Sequence, residues 1–246
     1  MVFHKYCTIR NVHKSKTINL TTANGTAIEQ KDSVKLLGVQ IDSALSWDEH
    51  VNKLLKKLNF GLLLLSKLRS FLTQDQLCMV YQAFVQSHIN YGILVWGLTS
   101  QSNLQKIKIV QNKALRIIAS LHPLTNVDQL YNDLNIMHVY AMVHYKIAYT
   151  TWLLVQNPSL IPSVKLKFLM SGYRTRGEAN LKLKNYHFSN NFGKLHFLHM
   201  SYCIWNLLPL SLGCERSKKV FKNLLQEFMI KLFNDKTKHR LMFGLY

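Results

Sequence analysis

Eleven histidines, four cysteines and twelve acidic residues are the groups of this chain that could bind a metal or move a proton. The densest grouping is His196, His199 and Cys203. On a helix these stand at i, i+3 and i+7 and share one face. The outer two are then about 10 Å apart along the axis, too far to share one ion. A closed zinc site wants four ligands, so a packed helix face is the better account. Cys7, Cys78, Cys203 and Cys214 include no C-x-x-C pair, which argues against a zinc ribbon or knuckle. Asp48-Glu49 is the only adjacent acidic pair. Neighbours on a helix point about 100° apart, and acids there suit the positive end of the helix. A two-metal nucleotidyl-transfer centre needs carboxylates converging on ions about 4 Å apart, and nothing in the pattern resembles that. Phosphate-binding, dinucleotide-binding and nucleophile-elbow glycine motifs are also missing. The residues therefore predict no catalytic group, no metal site and no cofactor within this chain.

Positive charge is what the chain has in excess: 31 Lys and Arg against 12 Asp and Glu, a net +19. The first 50 residues are nearly balanced, with 6 basic and 5 acidic groups, so the excess lies downstream. Such a chain attracts polyanions, with nucleic acid the leading partner and an anionic membrane surface the alternative. Lys53, Lys56 and Lys57 form one candidate set of phosphate contacts, and Lys106, Lys113 and Arg116 another. Tyr91, Trp96, Tyr140, Tyr145, Trp152 and Trp205 have rings on which bases could stack. At helical spacing inside apolar stretches, most of them read as core.

The elements that would carry these residues follow from spacing. Thr17 to Leu20 alternates, Asn24-Gly25 marks a tight turn and Ile28 resumes the strand. Val34 to Ile41 is β-rich, and Gly38 in its interior suggests a bulge or a close backbone approach. Trp47, Val51, Leu54, Leu55, Leu58, Leu62 and Leu65 make one apolar helical stripe. Ser46 with Glu49, Thr73 with Gln76 and Ser102 with Gln105 read as capping boxes. Thr125 and Asp128 open a further helix, and Val139 to Gln156 forms a longer one that stops before Pro158. Pro158, Pro162, Gly172 and Gly177 break the pattern over 157–195. Lys194 to Leu207 and Ser217 to Phe233 are helical again. No apolar stretch approaches the roughly 20 residues needed to span a bilayer. Met1 is not followed by a secretory leader, because His4, Lys5 and Arg10 interrupt it. An intracellular, unsecreted protein with reduced thiols is expected.

Four segments together resemble the C-terminal half of reverse transcriptases from non-LTR, LINE-type, jockey-like retrotransposons. The first is Val34-Lys35-Leu36-Leu37-Gly38-Val39-Gln40-Ile41-Asp42, followed by Leu45-Ser46-Trp47 and His50. The second is Tyr81 to Val85 with Ser87, Ile89, Tyr91-Gly92 and Trp96-Gly97. The third is Leu104 and Ile107 with Gln111 to Ile118, and the fourth is Trp205 to Pro209 with Phe221, Lys222 and Leu225. The resemblance implies that Lys35, Leu36, Leu37, Gly38 and Val39 belong to a primer-grip hairpin. There the lysine would meet phosphate, and the glycine would let the backbone approach the primer end. It also implies that the helix after Trp47 opens a thumb. The family's catalytic aspartates sit in a Tyr-x-Asp-Asp-like turn, and none of the twelve acids here matches it, so no catalytic residue is carried over. The divalent metal would belong to a palm region outside these residues.

The expected fold is mainly α with a small N-terminal β portion. Residues 1–45 would hold end-of-palm strands and the hairpin, 46–157 a helical thumb-like bundle, and 158–246 a linker with a smaller basic C-terminal subdomain. The expected partner is a template–primer of RNA or DNA, bound without regard to sequence. A missing palm and fingers region, or another protein, would cover the apolar face left open. A stand-alone binding or protein-interaction module derived from such a thumb is the alternative.

Overall fold

A computed structural model describes residues 20–25, 27–29, 31–161, 182–183 and 196–234. The chain is mainly helical behind a small β portion, as its apolar spacing predicts. It divides into two compact units at Leu54/Leu55, and each is taken by itself. The segment Met1 to Asn19, and most of 157–195 where breakers are frequent, lie outside the described residues.

The first unit holds two short antiparallel hairpins. Strands β1 (Leu20–Thr21) and β2 (Ala27–Ile28) flank the Asn24-Gly25 turn, and β3 (Ser33–Leu36) pairs with β4 (Val39–Asp42). Register in the second hairpin runs from Ser33 opposite Asp42 to Leu36 opposite Val39. Only Leu37 and Gly38 remain for the turn, and both have positive φ, +47° and +82°. That is the two-residue turn whose twist matches the strands it joins. Gly38 is thus a turn glycine and not a bulge. The register leaves no extra residue on either strand, so the chirality of the turn, not a broken ladder, requires it.

Asp42 anchors the exit from this hairpin. Its Oδ1 accepts the amides of Ala44 at 3.1 Å and Ser46 at 2.9 Å, and its Oδ2 accepts that of Trp47 at 2.8 Å. Leu45 and Trp47 both stand at positive φ within this loop. Helix α1 (Asp48–Leu68) begins immediately afterwards and continues past the unit boundary. Trp47, Val51, Leu54, Leu58 and Leu65 of the expected stripe are buried, while Leu55 and Leu62 are half-buried.

The second unit is all helix among its described residues, apart from a bridge at Leu183. Helix α2 (Gln74–Tyr81) opens on the Thr73–Gln76 capping box. It runs into a π-turn, Gln82–Gln86, before α3 (Ser87–Asn90). Gly61 of α1 faces that turn, and a Cβ there would meet Val85 at 2.8 Å and the Phe84 carbonyl at 3.1 Å. A short helix, α4 (Ile93–Trp96), precedes α5 (Gln101–Ile118). The third capping box is not formed: α5 starts one residue before Ser102, with Ser100 at its N-cap, and the Ser102 hydroxyl meets that of Ser100 at 2.9 Å. Helix α6 (Asp128–Asp133) instead starts later than Thr125, at Asp128, whose amide Asn126 accepts.

Helix α7 (Val139–Gln156) has the expected bounds and is the central element of this unit. Its first ten residues are almost all buried, as befits a helix apolar on every side. Helices α8 (Phe197–Leu207) and α10 (Lys218–Asn234) pack against it, with α9 (Leu210–Gly213) between them in the chain. The start of α7 hangs on Gln111 of α5. The Gln111 Oε1 accepts the Val139 amide at 2.7 Å, and its Nε2 donates to the Tyr81 hydroxyl at 2.9 Å and the Met137 carbonyl at 3.4 Å. A buried amide with these partners leaves little polar atom unsatisfied, and it ties α2, α5 and α7 together.

Candidate nucleic-acid interface

The hairpin presents its tip outward. Lys35 and Gly38 are exposed, Leu36 is 57% and Leu37 82% exposed, and Val39 turns inward. A leucine pair held in water on a rigid turn is unusual for a monomeric surface, and Lys35 sits one residue behind it.

Of the six basic residues expected to contact phosphate, Lys53 and Arg116 are held by partners from neighbouring segments of the fold. Lys53 donates to Glu49 at 2.7 Å and to the Gln40 carboxamide at 2.9 Å, bracing α1 against β4 inside the first unit. Gln40 is itself buried, with its Nε2 on the Ser33 hydroxyl and its amide on His50 Nδ1. Hydrogen bonds from Lys53 and then Ser33 hold the Glu49 carboxyl below its ordinary pKa. Arg116 is half-buried, and its Nε donates to the Thr125 carbonyl at 2.9 Å, fastening the loop after α5.

The other four face solvent. Lys56 and Lys57 lie on the exposed side of α1 within the second unit, and Lys106 and Lys113 on that of α5. Lys106 and Lys113 are seven residues apart, so they stand within about 20° of each other around the helix and about 10 Å apart along it. Lys106 also touches the Asn103 carboxamide at 3.1 Å. Lys108, on a different side of α5, lies over the Tyr140 ring at 5.9 Å. None of the four solvent-facing lysines forms an ion pair among the described residues.

Most of the aromatic candidates are core: Trp96, Tyr140, Trp152 and Trp205 are buried, whereas Tyr91 is exposed and Tyr145 half-exposed. His196 caps α8, its Nδ1 accepting the Leu198 amide, so it is turned to the backbone. His199 and Cys203 meet at 3.6 Å on the same helix, and burial raises the Cys203 thiol pKa.

The acidic and metal-ligating side chains among the described residues have other roles. Among the described residues, no group of three or more His, Cys, Asp or Glu is placed to hold an ion. Asp42 is taken up by three backbone amides and Glu49 by Lys53. The one Tyr-x-Asp sequence, Tyr131 to Asp133, closes α6 and is followed by Leu134 where a second aspartate would stand. Asp42 itself escaped the sequence reading as an anchor. Its signal was an aspartate at a strand end, a few residues before a helix, where the amides need an acceptor.

The described site residues thus comprise an exposed hairpin tip in the first unit and four solvent-facing lysines on α1 and α5 in the second. No family model matches the chain, and no solved structure matches it. Its sequence is similar to RNA-directed DNA polymerases of non-LTR, jockey-like retrotransposons. It is 28% identical over 121 residues to the probable RNA-directed DNA polymerase from transposon X-element of Drosophila melanogaster, covering 48% of this chain and 13% of that protein. With the probable RNA-directed DNA polymerase from transposon BS of the same species the identity is 28% over 136 residues, 52% of this chain and 15% of the relative. With the RNA-directed DNA polymerase from mobile element jockey of Drosophila funebris it is 30% over 105 residues, 40% of this chain and 11% of the relative. The matches thus span between 11% and 15% of the length of these relatives. No described helix is long and apolar enough to cross a membrane.

Proposed function

We propose that this chain holds the template–primer duplex for an RNA-directed DNA polymerase, gripping the backbone without reading sequence. In this reading it carries no nucleotidyl-transfer centre, and the metal-binding aspartates of that reaction lie outside these residues. The observation that supports it best is the set of solvent-facing lysines, Lys56, Lys57, Lys106 and Lys113, with no carboxylate against them. Phosphates supply the missing counter-charge, and their contacts fix position while carrying no sequence information. The similarity to retrotransposon polymerases supports nucleic acid as that polyanion. The hairpin tip, Lys35 to Gly38, supports the primer-grip role, because its turn backbone is open to solvent.

Salt titration of binding to a labelled RNA–DNA heteroduplex tests this. Affinity falls linearly in log–log form, with a slope of about −0.9 for each phosphate neutralised. Replacing the four lysines by glutamine flattens that slope by roughly three to four units. A flat slope in the unmodified protein overturns the reading.

A second reading, a stand-alone interaction module derived from a retroelement thumb, is favoured by apolar side chains left in water. Phe71 is 82% and Leu124 87% exposed, with Met79 and Phe84 also outside. That reading requires cooperative unfolding of the purified chain and a protein partner that protects these side chains from solvent. A protein that stays monomeric and monodisperse at high concentration speaks against it.

A further inference from the structure

Along α7, Tyr145, Tyr149 and Trp152 follow at i, i+4 and i+7 and fall on one stripe. Their rings are nearly parallel. The Tyr145 and Tyr149 centroids are 6.4 Å apart with 7° between planes, and those of Tyr149 and Trp152 are 6.2 Å apart with 16°. Phe221 of α10 continues the series at 4.8 Å and 14° from Trp152. The inner end is fixed: Trp152 and Phe221 are buried, and the indole N–H donates to the Glu215 carbonyl at 2.8 Å. The outer end, Tyr145 and Tyr149, is half-exposed.

Two cations border that open end. The Lys222 Nζ lies 5.1 Å from the Tyr149 ring centre. Lys146 is the chain neighbour of Tyr145 and is half-buried. Burial, and then the charge of Lys222, lower the Lys146 pKa, so the two ammonium groups repel each other. Neither is neutralised by a carboxylate among the described residues. Cations drawn together beside aromatic faces, with no acid to balance them, make a site for a ligand that is both anionic and flat.

We propose that Tyr145 and Tyr149, with Lys146 and Lys222, form a platform for single-stranded nucleic acid. Unpaired bases stack on the tyrosines while the adjoining phosphates meet the ammonium groups. A duplex keeps its base faces stacked inside and cannot use such a platform along its length. An anionic membrane or an acidic peptide would engage the lysines but gain nothing from parallel rings. The site shares no residue with the lysines assigned above to the duplex backbone, so it stands or fails separately from that reading.

The test uses the full chain and two labelled ligands, an oligouridine of about 15 nucleotides and an RNA–DNA heteroduplex. Replacing both tyrosines, Tyr145→Leu with Tyr149→Leu, weakens oligouridine binding at least about fivefold for each ring lost and leaves heteroduplex affinity unchanged. Lys146→Gln with Lys222→Gln weakens oligouridine binding and flattens its salt slope by about one to two units. Photocrosslinking of 5-bromouridine to the unmodified protein places adducts on Tyr145 or Tyr149. Unchanged oligouridine affinity in a normally melting tyrosine variant overturns the proposal. So does an equal loss for both ligands. So does a lysine variant that loses binding only to phosphatidylserine vesicles. If the tyrosine variant fails to fold, the crosslink decides, and its absence from both tyrosines overturns the proposal.

Discussion

In the unit that ends at Leu54, Lys31 lies 3.1 Å from Glu29 and Lys53 lies 2.7 Å from Glu49. Among the described residues from Leu55 onward there is no ion pair at all. The two regions also use different anchors. Asp42, a carboxylate, gathers three amides at the exit of the hairpin. Gln111, a neutral carboxamide, gathers three partners in the buried centre of the helical unit. In the first region charge is spent on internal order, so the hairpin is set by contacts within its own fold. In the second, order comes mainly from apolar packing and an uncharged hub, and although Arg116 fastens a loop, Lys56, Lys57, Lys106 and Lys113 have no carboxylate against them among the described residues. A surface that binds polyanions needs this separation, because a lysine committed to a carboxylate must break that contact before it can meet a phosphate.

The comparison is broken most severely at Asp42. Asp42→Ala leaves the Ala44, Ser46 and Trp47 amides without their acceptor, at a cost of about 3 kcal/mol. Hydrogen exchange of residues 43–51 should accelerate strongly, with the α7 amides unaffected. A smaller effect, about 2 kcal/mol in denaturant unfolding, is expected for Gln111→Leu, which strips the hub from α7 and leaves the Val139 amide buried without its partner. If this variant is as stable as the parent, apolar packing alone holds the second unit.

Titration sharpens the contrast further. Burial pushes the phenols of Tyr81 and Tyr131 well above their ordinary pKa of 10.0. A folded-state pKa raised above the unfolded value means full stability below about pH 10, lost as pH rises above it, because only the unfolded chain then releases the proton. The second unit should therefore unfold in alkali. Tyr131→Phe should lessen the steepness of that loss, measured as melting temperature against pH. The smallest effect belongs to Glu49→Gln. It releases Lys53 from its carboxylate and leaves only the neutral Gln40 contact, so the salt slope for heteroduplex binding should steepen by about one. An unchanged slope would show that Lys53 never reaches a phosphate.

How far the sequence foretells this structure depends on how local the determining contacts are. Helix α7 has the expected bounds because an unbroken apolar run meets Pro158, and both signals are local. The Thr73–Gln76 box is local too, and it forms. Ser102 and Gln105 carry the same pattern without the outcome, since Ser100 offers an earlier cap and no residue spacing ranks the two. Gly38 misleads for a different reason. A turn of this hand is usually announced by Asn-Gly or Asp-Gly, and here a leucine occupies the first position at φ +47°. The candidate lysines were legible as a helix face, but the engagement of Lys53 by Gln40 comes from strand β4, and that of Arg116 by Thr125 from the loop after α5, each folded against its helix. The tyrosine ladder was half legible. Its spacing along α7 is in the sequence, but Phe221 and Lys222 reach it only by the packing of α10.

The π-turn at Gln82–Gln86 carries a consequence for insertions and deletions. Such a turn holds one residue more than the α-helical count. A chain shortened by one residue there could run as continuous α-helix from Gln74 to Asn90 with its later side chains nearly in phase, because the wide turn absorbs its extra residue locally. If every residue is kept and the turn tightens to α-helix, all that follows rotates by about 100°, and Ile89, now fully buried, swings away from the core. The turn thus keeps the phase between two halves of one rod whose chain is one residue longer than an unbroken helix needs.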